Sequence, residues 1–124
     1  MEISYNTGQI EIIGPYGRVY LYSHNTADQL VAVVDEVLSR KVRWDDPDYL
    51  ARMLFCKMIP QDKWNDELGF GIGTQLYTDV NMLLSLDTVH QTIKISSAFE
   101  TYIVHSVSMS FEDFINNYAS NAEL

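Results

Sequence analysis

Cysteine is almost absent from this chain. Cys56 stands alone among 124 residues, so no disulfide can close within it, which suits a reducing compartment. Histidine is scarce too: His24, His90 and His105 are far apart and make no H-x-H or H-E-x-x-H spacing, so no metal centre is expected. Basic residues number eight against seventeen acids, a net charge of −9. That balance argues against nucleic acid and anionic membranes, both of which call for clustered Lys and Arg. The deficit is local, because residues 64–124 carry Lys94 against eight acids, net −7, whereas residues 1–63 are near balance at −2. Long apolar runs are missing as well. The longest, Tyr49 to Ile59, is broken by Arg52 and Lys57, short of the ~20 residues of a membrane span. Met1-Glu2-Ile3-Ser4 lacks the basic and apolar regions of a secretory leader. With three prolines, six glycines and no low-complexity linker or repeat, residues 1–124 read as a single domain.

What is present is a clear alternation of periods. Gln9 to Ile13 and Arg18 to Ser23 flank Gly14-Pro15-Tyr16-Gly17, the residues of a tight turn, and predict a hairpin. Leu30, Val33, Val34, Val37 and Leu38 then recur at helical spacing behind a Thr26/Gln29 capping box, predicting a helix from Ala27 to Ser39. Asp46 before Pro47 starts a second helix that Pro60 stops, and its nearly continuous apolar sequence predicts the most buried helix, with Cys56 in the core. From Leu68 the period becomes two, with further strands at Met82 to Asp87, Gln91 to Ser97 and Glu100 to Ser108 and a turn at Thr88 to His90. A Ser110/Asp113 capping box and the stripe Phe111, Phe114, Ile115, Tyr118 close the chain with a short helix. The order β-β-α-α-β-β-β-β-α predicts an α+β fold, an antiparallel sheet of five to six strands with two to three helices on one face.

Gly69, Gly71 and Gly73 alternate along a strand, and neither a GKS/T ending nor a G-x-G-x-x-G spacing follows. They read as positions of close backbone approach or a bend rather than as a phosphate loop. Tyr22-Ser23-His24-Asn25 ends a strand before a helix N-terminus, where polar side chains can meet a ligand or simply satisfy the turn. Arg52 interrupts an apolar helix, so it pairs with Asp28, Asp48 or a loop acid, snorkels to solvent, or faces an anion. Tyr20 and Tyr22 share a strand face with Arg18, which suits either cross-strand packing or a contact surface. No catalytic constellation, metal ligand set or cofactor motif is apparent. The expected ligand site is the convergence of Tyr22, Ser23, His24 and Asn25 with Trp44 and Arg52.

Three segments taken together, Val19-Tyr20-Leu21-Tyr22-Ser23-His24, Arg43-Trp44-Asp45-Asp46-Pro47-Asp48-Tyr49-Leu50-Ala51-Arg52 and Glu67-Leu68-Gly69-Phe70-Gly71-Ile72, resemble a group of small uncharacterised proteins of tailed phages and prophages. The likeness covers residues 17–73, with Asn25 replacing a Trp and Leu68 a Thr of the group's pattern. It implies origin rather than activity: a phage or mobile-element accessory protein working in the bacterial cytoplasm.

These features lead to a non-enzymatic binding protein, of the counter-defence or host-modulating kind, that binds a host protein or a small anionic ligand such as a nucleotide. Direct nucleic-acid or membrane binding is not expected, and self-association is left open. A second reading is an acidic, immunity-type or DNA-mimicking inhibitor of a basic nuclease or toxin, using Asp66, Glu67, Asp79 and Asp87. A third is a small hydrolase or transferase using His24 with Ser23 or Asp46.

Overall fold

The computed structural model describes residues 7–24, 29–59, 70–77, 80–99 and 103–119. The strands are β1 (Gly8–Ile13), β2 (Arg18–Ser23), β3 (Phe70–Gly73), β4 (Met82–Asp87), β5 (Thr92–Phe99) and β6 (Ile103–Ser110). Helices α1 (Leu30–Leu38) and α2 (Pro47–Met58) lie between β2 and β3, and α3 (Phe111–Asp113) runs on into a π-helical turn, Phe114–Tyr118. The predicted α+β order is therefore observed. One six-stranded sheet has the order β3-β2-β1-β4-β5-β6.

The sheet is mixed rather than wholly antiparallel, because β1 and β4 pair in parallel, Gly8 opposite Met82 and Ile13 opposite Asp87. The chain leaves β3 at one edge, passes over β2 and β1, and enters β4 on the far side of β1. Side-chain alternation fixes which face a residue occupies, not which strands are neighbours.

Ile10, Ile12, Leu21, Leu84, Leu86, Ile93 and Ile95 form the buried face. Leu30, Val31, Val34, Val37 and Leu38 of α1, Leu50, Ala51 and Leu54 of α2, and Phe111 and Phe114 cover it. The opposite face carries Gln9, Glu11, Tyr20, Tyr22, Ser85 and Lys94, paired across the strands. Asp46 caps α2 by accepting from the Tyr49 N–H at 3.1 Å, with Pro47 in the first turn. Ser110 likewise accepts from the Asp113 N–H at 3.0 Å.

One local expectation is corrected, and a second falls largely outside the described residues. Helix α1, not α2, is the more buried: Arg52, Cys56 and Lys57 face solvent, and Tyr49, Met53, Phe55 and Met58 are half-buried. The outer apolar residues of α2 sit at its flank, where Phe55 leans on Phe70 of edge strand β3 with ring centres 5.5 Å apart. Thr26 of the expected capping box lies outside the described residues, and Gln29 at the N-cap of α1 makes no side-chain cap bond.

Candidate functional site

The sheet has two ends. Gly8, Ser23, Phe70 and Met82 line up at one, and Ile13, Arg18, Asp87, Thr92 and Ser110 at the other. At the first end a cleft of about 370 Å³ is lined by Thr7, Gly8, Tyr22, Ser23, His24, Tyr77 and Val80.

Aromatic contacts shape this cleft. The Tyr22 ring lies across Gly71, its partner on β3, where an added Cβ would come within 2.6 Å of the ring's Cζ. Gly71, within the glycine alternation of the sequence, is thus a bed for a cross-strand tyrosine. His24 tilts against Tyr22 with ring centres 5.2 Å apart, and Tyr77 meets it edge-on at 6.4 Å. Thr7 closes the floor: its carbonyl accepts from the Asn81 N–H at 2.9 Å, and its hydroxyl donates to Asn81 Oδ1 at 2.9 Å. Ser23 is buried and His24 exposed.

Tyr77 is delivered by the segment that crosses the open face from β3 toward β4. Gln9 is fully buried in β1 beneath it. Its Nε2 donates to the Gln75 carbonyl and its Oε1 accepts from the Tyr77 N–H, both at 2.9 Å. The described lining offers aromatic faces, hydroxyls and one imidazole, with no Lys, Arg or carboxylate. Such a surface suits a planar ring more than a dense negative charge.

Of the residues expected to converge, Tyr22, Ser23 and His24 do so, and Asn25 lies outside the described residues. Trp44 does not join them. Its Nε1–H donates to the Leu38 carbonyl at 3.0 Å and its ring meets Phe111 edge-on at 5.5 Å, near Ser110 at the opposite end of the sheet. Helix α1, about 13 Å long for its nine residues, carries the chain away from His24 before Trp44 is reached. Arg52 is exposed on α2 and lines no described cleft, and Asp28, one of its expected partners, lies outside the described residues. Asp46, capping α2 where Pro47 abuts Gly14, is likewise remote from His24.

Asp66, Glu67 and Asp79 lie outside the described residues. Asp87 is engaged in its own turn, where Oδ1 accepts from the N–H groups of Val89 and His90 and Oδ2 meets His90 Nδ1 at 2.9 Å. Partial burial pushes this carboxyl up, but the hydrogen bonds from the His90 ring and from both backbone amides outweigh it and hold its pKa below the ordinary value.

Sequence reasoning missed Thr7, Gly8, Tyr77 and Val80, which come from segments far apart in the chain. Among the described residues no cluster of His, Cys, Asp and Glu could hold a metal ion, and no helix is long and apolar enough to cross a membrane. The chain matches no protein-family model, no curated protein and no solved structure.

Proposed function

We propose that this is a phage or mobile-element accessory protein of the bacterial cytoplasm that works by binding, and that its ligand is a small molecule with a planar ring, of the nucleoside or nucleotide class. The observation that carries the ligand is the cleft walled by Tyr22, His24 and Tyr77. Its rings would stack on or edge against a base, and its hydroxyls and the exposed imidazole would meet ribose or phosphate oxygens. The accessory role rests on the phage-like segments around His24, Asp46 and Gly71. An inhibitor acting through acids draws no support from Asp87, whose oxygens are occupied in its turn.

Thermal unfolding in the presence of nucleosides, nucleotides and cyclic nucleotides tests the reading. A ligand at about 100 times its Kd should stabilise the protein by about 2.7 kcal/mol. The shift should vanish in Tyr77→Ala. A panel in which no compound raises the melting temperature would remove the proposal.

A further inference from the structure

We propose that Gln9 is the positioning residue of this ligand site, acting through Tyr77, an inference that rests on the ligand-binding reading above. Gln9 sits on central strand β1, fully buried, with its side chain on the open face. An amide buried there is costly unless donor and acceptor are both satisfied. Both are satisfied by one short stretch of backbone 66 to 68 residues away, the Gln75 carbonyl and the Tyr77 N–H. Among the described residues, these are the hydrogen bonds that tie residues 74–77 to the sheet.

The amide therefore fixes the register of the crossing segment. Leu76 and Tyr77 fall on opposite sides of it, Leu76 lining a separate depression with Glu11, Ser85 and Lys94, and Tyr77 turning toward Tyr22. A slip of one residue would exchange the two and replace the aromatic wall by an aliphatic one. Gln9 need not touch a ligand to govern its affinity, because holding Tyr77 in place before binding removes an ordering cost.

The chemistry of the clamp supplies its own test. Gln9→Leu loses both hydrogen bonds. Gln9→Glu as a carboxylate still accepts from the Tyr77 N–H but sets an oxygen against the Gln75 carbonyl; when protonated it donates there as the amide does. Titration calorimetry with the nucleoside or nucleotide selected by thermal shift should show affinity lowered by about tenfold or more in both variants at neutral pH. Relative to wild type at each pH, Gln9→Glu should recover as pH falls and Gln9→Leu should not. The ¹⁹F resonance of 3-fluorotyrosine at position 77 should move in both ligand-free variants, and return toward the wild-type position in acid only for Gln9→Glu. Circular dichroism identifies a variant that fails to fold, and the pH-dependent recovery of Gln9→Glu then carries the test alone. Wild-type binding that both variants retain, or a resonance that neither moves, overturns the Gln9 inference and leaves the ligand reading intact. Absence of binding by the wild type overturns both.

Discussion

Tyr22 lies flat enough over Gly71 that a methyl group at Gly71 would overlap its ring, 2.6 Å from Cζ and 2.9 Å from Cε1. Two strand positions further on, a Cβ at Gly73 would meet its nearest neighbour, the Tyr77 hydroxyl, at an ordinary 3.6 Å. The two glycines look equivalent in sequence but should respond differently to alanine. Gly71→Ala must displace the tyrosine or part β3 from β2, an overpacking cost of about 1–3 kcal/mol, and should weaken ligand binding through the lost Tyr22 position. Gly73→Ala should be close to neutral for both. Urea unfolding and ligand titration of the pair measure the contrast.

Glu11 and Arg18 make an asymmetric ion pair, with an oxygen–nitrogen distance of 2.8 Å, the carboxylate side chain 6% exposed and the guanidinium 53% exposed. The hydrogen bond to Glu11 and then its charge raise the Arg18 pKa above its ordinary value. Ser85 donates to the other carboxylate oxygen at 2.9 Å. Because the buried partner is the acid, Arg18→Met should destabilise by stranding it, while the double variant Glu11→Met/Arg18→Met should recover much of the loss. Ser85→Ala should cost about 1 kcal/mol. Thermal melts of the singles and the double form a cycle, and a double variant no better than Arg18→Met would refute the asymmetry.

The element order was legible because every strand and helix announces itself by period or cap: Asp46-Pro47 and Ser110/Asp113 start helices as their side chains suggest. Pairing was not. Nothing in the alternation of Gln9 to Ile13 or Met82 to Asp87 says that the two run parallel, since that follows from a crossing segment pinned by Gln9. The mixed apolar sequence of α2 overstated its burial because apolar residues at a sheet edge, such as Phe55 against Phe70, count as core only in part. The site was half legible. Tyr22, Ser23 and His24 are contiguous, whereas Tyr77 reaches them only through tertiary structure; Trp44 could have been set aside from the length of α1.

That separation makes Trp44 a control. Its indole bridges the Leu38 carbonyl and the Phe111 ring. Trp44→Phe should lose about 1 kcal/mol by removing the N–H donor, and Trp44→Ala about 3–5 kcal/mol by removing the packing as well. Ligand affinity should change in neither Trp44→Phe nor Arg52→Ala. A tenfold loss in either variant would return those residues to the site and contradict the placement described above.

The turn between β4 and β5 should carry a measurable part of the acid sensitivity. Asp87 has a folded-state pKa below its ordinary 3.8, so its contribution is present at neutral pH and is lost as pH falls from that value through the lower folded one. Asp87→Asn should therefore be less stable than wild type near pH 6, and the gap should close toward about pH 2. The same turn holds Gln91 at φ 56°, a conformation that costs a residue bearing a Cβ and costs glycine little. Gln91→Gly should stabilise the protein by about 0.5–1 kcal/mol at every pH, because it relieves backbone strain and leaves the Asp87 carboxylate untouched. The two substitutions separate the turn's charge from its geometry. Urea midpoints that diverge with pH for Asp87→Asn and run parallel to wild type for Gln91→Gly would establish both, and a parallel Asp87→Asn curve would show that the carboxylate's hydrogen bonds do not select its ionised form.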